Sequence, residues 1–247
     1  MKSSARPICD EDGFLNRGVE VTRAEAFFDA AFAFAITLMV IAIDAIPDSV
    51  EKLMDALKSI PAFAASFLLI VLFWRGHADW SRRYGLNDRL SQRLSLFLVF
   101  LVFLVLIFIY PLRMVYAAFF YWASDGWLPA HFTIQGALDL RLMFIVFALA
   151  FGSMGATMLL LYRHAWSRRI ALGLDAVELL VTRQSILRWA LLPAFSIASL
   201  GLSSLLTAQT MNNWLIAMPG LIFFVLHFIE MALSWRMKRA LRALRAS

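Results

Sequence analysis

Long apolar runs dominate the chain, and polar residues gather between them. Six stretches are long enough for about 20 helical residues, the length that crosses a hydrocarbon core. They cover approximately 24–46, 60–80, 94–120, 139–163, 186–207 and 213–235. The first opens with Thr22 followed by Glu25, the spacing of a capping box in which each residue satisfies the other's backbone amide. The second starts at Pro61, a residue suited to a first helical turn. The third contains Pro111 and Arg113, which predict a kink or an exit from the core. Tyr110, Tyr116, Tyr121, Trp122 and Trp127 follow as an interfacial aromatic belt, and Arg113 is read as reaching out to that interface. The fifth carries Pro193 with Ser196, Ser199, Gly201 and Ser203, small residues that favour close helix packing.

Two connectors have a helical period of their own. In residues 49–60, Val50, Leu53, Met54 and Leu57 fall on one face, which predicts a short helix on the outer interface. The stretch 166–184 is amphipathic and predicts a helix lying on the cytosolic surface. The chain shows no internal repeat. The expectation is an all-α integral membrane protein of six transmembrane helices. Residues 1–21 form a cytosolic N-terminal segment, 22–237 the membrane domain and 238–247 a basic cytosolic tail.

Composition agrees with this class. Of 247 residues, 62% are hydrophobic and 16% charged, more apolar than a soluble domain of this size sustains. Charge then sets orientation. Arginines crowd the connections after the second and fourth spans (Arg82, Arg83, Arg89, Arg93; Arg163, Arg168, Arg169, Arg183) and the end of the chain (Arg236 to Arg245). Residues 123–138 and 208–212 hold no Lys or Arg. The positive-inside rule places both termini in the cytosol, in a multi-pass protein of the cell membrane. The formal charge of +6 is thereby explained without nucleic acid. The first sixteen residues lack an apolar run and predict no cleavable signal peptide. No phosphate loop, paired-cysteine zinc motif or nucleophile elbow occurs, so an enzyme has no support.

The candidate chemistry lies in the first span. Turned at about 100° per residue, Phe27, Ala30, Phe34, Thr37, Leu38 and Ile41 share one stripe, while Asp29 falls about 140° away. Phe34 lies about 16 Å above Arg23, near the middle of a core about 30 Å thick. A carboxylate facing lipid costs at least about 2.5–3.5 kcal/mol, so Asp29 should turn toward other helices. Arg23 is offset from it by six residues and is a poor partner. Span two supplies Trp74, Arg75 and His77 at the matching depth. Asp29 is read as a packing anchor in preference to an ion ligand. On span six, His227 and Glu230 share a face and fit a satisfied interhelical pair or a coupling pair of a secondary transporter. Asp44 and Asp48 end the first span as a solvated loop or a cation-concentrating mouth.

The stretch "RAEAFFD" at 23–29, with the apolar run that follows, resembles the R-x-x-x-F-S-D signature of the transmembrane protein 175 family of potassium channels, and Trp74 and His77 in "FWRGHADW" resemble its W-x-x-H. The resemblance implies a homotetramer in membrane lipid, with helix 1 of each subunit lining a central pore, potassium as the permeant ion and no other cofactor. It implies a pore stripe of Phe34 at the apolar constriction with Ala30, Thr37, Leu38 and Ile41 beside it. Arg23, Phe27, Phe28, Asp29, Trp74 and His77 would form the network that anchors the helix. Two positions depart from the pattern: Phe28 stands where the signature has serine, and Phe34 where the family has Ile or Leu. An asparagine of the family's third helix is also missing, with Ser95 nearest. A member with altered or lost potassium conduction, proton-permeable or closed, is therefore the alternative, and a secondary transporter a more distant one.

Overall fold

The computed structural model describes residues 9–10, 13–41, 48–107, 116–117, 119–129, 136–205 and 218–246. Within them, regular structure is helical apart from one isolated antiparallel bridge between Cys9 and Leu15. The helices are α1 (Arg23–Ile41), α2 (Val50–Lys58), α3 (Ile60–Tyr84), α4 (Arg89–Ile107), α5 (Ala137–Ser167), α6 (Ala176–Ser204) and α7 (Met218–Ala246). Among the described residues, α3, α5, α6 and Met218–Arg242 of α7 are long and apolar enough to cross a membrane.

The hairpin of α5 and α6 is the centre of the bundle. Small residues explain how closely they approach. A Cβ added at Gly155 would sit 2.5 Å from the Leu192 Cβ, and one at Gly152 would sit 2.7 Å from the Ser196 Cβ. Helix α7 packs on α6, α4 on α5, and α1 on α4, with α3 touching both α5 and α1. The shared core is aromatic. Phe73 meets Phe151 edge-on at 5.8 Å between centroids and Trp189 at 5.6 Å, and Tyr84 meets Tyr162 edge-on at 6.0 Å.

The buried polar ends of these rings find partners, as their cost in an apolar core requires. Trp80 Nε1 donates to the Leu161 carbonyl at 2.9 Å, and Tyr162 Oη to the Gly76 carbonyl at 3.1 Å. Tyr84 Oη and Thr182 Oγ1 are 2.7 Å apart.

One expectation is revised. The amphipathic stretch 166–184 is not a separate surface helix: α5 ends at Ser167, and from Ala176 the chain is already α6. Its C-terminal part packs inside the protein, with Val181 and Thr182 buried, while Ile170 is exposed. Helix α7 runs unbroken across position 238 to Ala246, so the basic tail continues the last helix. Residues 13–21 form a strap across the ends of α3 and α6, in which Phe14 is fully buried against Tyr84. Helix α2 does present Val50, Leu53, Met54 and Leu57 outward, and Lys58 at its end lies over the Trp127 ring at 5.8 Å. The expected kink at Pro111 and Arg113, together with Asp44 and Tyr110, falls outside the described residues, as do the side chains of Ile41 and His227.

Candidate functional site

Helix α1 begins as its sequence dictates. The Glu25 amide donates to Thr22 Oγ1 at 3.2 Å, and Glu25 Oε2 accepts from the Thr22 amide at 2.6 Å, closing the capping box. The other Glu25 oxygen accepts from the Ser81 hydroxyl, which ties this first turn to α3. The helix then divides into two faces. Phe28, Ala31, Phe32, Ala35 and Met39 are buried in the core. Phe27, Ala30, Phe34 and Thr37 are exposed and Leu38 is half-buried. Phe27 and Phe34 are each 55% exposed. Within the subunit, Phe34 approaches Phe103 of α4 at 6.1 Å. The Thr37 hydroxyl donates to the Ala33 carbonyl one turn back, at 3.0 Å.

Four of the six residues expected in the anchoring network come together. Phe28 stacks on His77 with centroids 3.5 Å apart, and on Phe32 at 4.6 Å. His77 Nε2 is 2.8 Å from Ser95 Oγ of α4. Trp74 Nε1 donates to Asp29 Oδ1 at 2.9 Å. Arg23 and Phe27 do not join them: both are exposed. The contacts of α1 with α3 thus include one stacked ring and two hydrogen bonds to carboxylates.

Sequence reasoning named Ser95 only as standing nearest the absent asparagine, and it missed two participants, Ser81 and the strap. Ser95 partners His77 where the resembling pattern has an amide side chain, and Ser81 partners Glu25. The strap is the larger of the two. Arg17 meets Glu178 of α6 through two hydrogen bonds of 2.8 Å, and its Nε donates to the Leu172 carbonyl at 3.2 Å. Glu178 also completes the capping box of α6 with Asp175. Asp10 pairs with Arg83 at 2.9 Å, and the Arg17 and Gly18 amides both donate to the Arg82 carbonyl at 2.9 Å. The signal available in the sequence was a lone Phe-Leu pair inside an otherwise polar segment. Beside the strap lies a cavity of about 370 Å³, bounded by the start of α1, the end of α3 and the start of α4.

The α3–α4 turn is held at the same end. Asp88 accepts from the Ser91 amide at 2.9 Å and from His164 Nε2 of α5 at 2.7 Å. Burial disfavours its charge, but the bonds from Ser91 and His164 outweigh burial and lower its pKa to about 2. Among the described residues, no group of three His, Cys, Asp or Glu side chains is placed to hold a metal ion.

Among the described residues the bundle is all-helical, and its first helix leaves an apolar stripe unpacked. Residues 23–107 match the family model of the endosomal/lysosomal potassium channel TMEM175. A protein of Marivirga tractuosa named "Potassium channel" is 29% identical over 192 residues, 76% of each chain. Two solved structures share the fold. One is a crystal structure of a threonine-to-alanine variant of the potassium channel MtTMEM175 in complex with a nanobody–MBP fusion. It aligns with a TM-score of 0.75 at 24% identity, over 94% of this chain and all of that one. The other is a crystal structure of a lysosomal potassium-selective channel TMEM175 homolog from Chamaesiphon minutus, with a TM-score of 0.55 at 22% identity, over 85% of this chain and 96% of that one. The chain is thus similar to TMEM175 channels over residues 23–107 and shares the fold of two of them, and the relative from Marivirga tractuosa is named a potassium channel.

Proposed function

We propose that the chain is one subunit of a potassium-permeable cation channel, a homotetramer of six-span subunits with cytosolic termini. In it α1 lines a central pore and Phe34 forms the apolar constriction. The observation that carries this reading is the pair of exposed rings on α1. A helix that buries Phe28, Phe32 and Met39 on one side and leaves Phe27, Ala30, Phe34 and Thr37 unpacked on the other has a face reserved for something outside the subunit. That face is the stripe that the family resemblance makes pore-lining. Conduction would involve no chemical step. An apolar ring acts by dewetting the pore or by closing it, while Asp29, Trp74, Phe28 and His77 hold the helix in register.

Potassium flux into liposomes tests this. Phe34→Ala removes the ring at the constriction, and flux is expected to rise above that of the wild type. If neither protein passes potassium, the pore assignment fails. A second reading, in which the protein passes protons or stays closed, is favoured by the bulk of Phe34: four such rings fill more of an axis than aliphatic side chains do. Reversal potentials under opposed proton and potassium gradients separate the two.

A further inference from the structure

We propose that Arg17 is a positioning residue for α1: acting through the strap, it holds the first turn of this helix against the ends of α3 and α6, and the pore depends on that hold. The inference rests on the reading of α1 as the lining helix.

The strap owes its order to anchors on other elements, since it has neither helix nor sheet of its own beyond the Cys9–Leu15 bridge. Phe14 is fully buried, and the guanidinium groups of Arg17 and Arg83 lie over its ring at 5.7 and 5.3 Å. Arg17 is the branch point. It grips the Glu178 carboxylate with two nitrogens and reaches the carbonyl groups of Leu15, Arg83 and Leu172 as well. A fork that serves a carboxylate and several carbonyls at once is a role lysine cannot fill. Glu178 is fixed in turn by the Asp175 capping box and by the Leu15 amide.

From Arg17 the hold passes to α1 over a short path. The next residue, Gly18, lies so close to α3 that an added Cβ would sit 2.5 Å from the Ser81 carbonyl oxygen. Only Val19, Glu20 and Val21 then separate this clamp from Thr22, which caps α1. From Gly18 to Thr22 a fully extended chain reaches at most about 14 Å, so α1 cannot drift far while the strap is seated. The Ser81 hydroxyl meets Glu25 from the same turn of α3.

Packing alone does not fix this turn. The cavity of about 370 Å³ lies between it and the start of α4, with Ala24, Glu25, Gln92 and Ser95 on its walls. That is more than ten times the share of liquid volume that one water takes, about 30 Å³. A first turn released from the strap has room to enter this space, and the helix above it tilts.

Two readouts on the full chain in liposomes test the proposal: amide hydrogen exchange, and potassium flux. Arg17→Gln is expected to speed exchange at residues 14–22 and on into the first turn of α1, while α5 stays as protected as in the wild type. Flux is expected to change by about threefold or more, the scale of coupling carried through packed networks. Arg17→Lys, which keeps the charge, should fall between the two, and Phe14→Leu, which loosens the strap without touching a charge, should move both readouts in the same direction. Faster exchange confined to the strap, with α1 and flux as in the wild type, overturns the proposal. If Arg17→Gln unfolds, seen as lost protection in α5, Phe14→Leu decides on the same two readouts. A wild type that passes no potassium counts against the pore reading instead; exchange in the first turn of α1 then decides the hold alone, and an unchanged rate there overturns it.

Discussion

Asp29 is a carboxylate within an apolar helix, and among the described residues its partner is the indole of Trp74, at 2.9 Å. A hydrogen bond to a charged acceptor is worth about 1.5–3 kcal/mol when buried and less where water competes. Asp29 is exposed in the single subunit, so Trp74→Phe, which keeps most of the ring and loses the donor, should cost about 1 kcal/mol. Denaturant unfolding in detergent, followed by circular dichroism, would measure it. Asp88 is the second carboxylate with a definite consequence. Its pKa of about 2 lies below the ordinary value of about 3.9 in an unfolded chain. A depressed carboxylate contributes stability above its unfolded value and loses that contribution as pH falls through the folded one. The thermal midpoint should therefore drop on acidification from about pH 4 toward about pH 2, and Asp88→Asn should flatten the drop while lowering the midpoint at neutral pH. Scanning calorimetry of both proteins across that range is the check.

Element by element, glycine separates positions that packing controls from positions that propensity controls. Gly155 faces Leu192 with no room for a Cβ, whereas a Cβ at Gly201 would meet nothing within 4 Å. Gly155→Ala should therefore destabilise the α5–α6 pair by about 1–3 kcal/mol through overpacking. Gly201→Ala on α6 should stabilise by up to about 1 kcal/mol through helix propensity. Paired unfolding curves with opposite shifts would bear this out, and equal shifts would not. Sequence reading pointed to small residues on the fifth span but not to which of them are in contact. A small residue marks close approach only when its partner helix is known, and Gly201 and Ser196 look alike along the chain. The capping box of Thr22 and Glu25 was legible because both partners lie within one turn. The strap was not, because Arg17 and Glu178 are 161 residues apart and nothing periodic announces the pairing. The stretch 166–184 was misread for a related reason. Amphipathic period shows that one face is covered but not by what, and here the cover is protein.

At the scale of the whole molecule, the direction in which α1 turns its exposed stripe decides whether it lines a pore. Its exposed stripe could turn toward lipid or toward other copies of α1 about an axis. Exposed apolar residues on α5, such as Leu149 at 57% exposure, are expected to face lipid in either case. The single cysteine, Cys9, makes the two arrangements separable by cross-linking. In a Cys9→Ser background, Phe34→Cys places a thiol at the middle of the stripe. If four α1 helices surround a central axis, these thiols come within reach of one another. The Cα atoms bridged by a disulfide lie within about 7 Å, a distance that only the copies nearest a shared axis can provide. Mild oxidation in the membrane should then give a covalent dimer band with Phe34→Cys and none with Leu149→Cys in the same background. Thr37→Cys, about one helical turn along the stripe, should cross-link as well, whereas Met39→Cys on the buried face should not. Cross-linking at Leu149 but not at Phe34 would turn the subunit round, with α5 facing the axis and α1 facing lipid. The constriction at Phe34 would be lost with it.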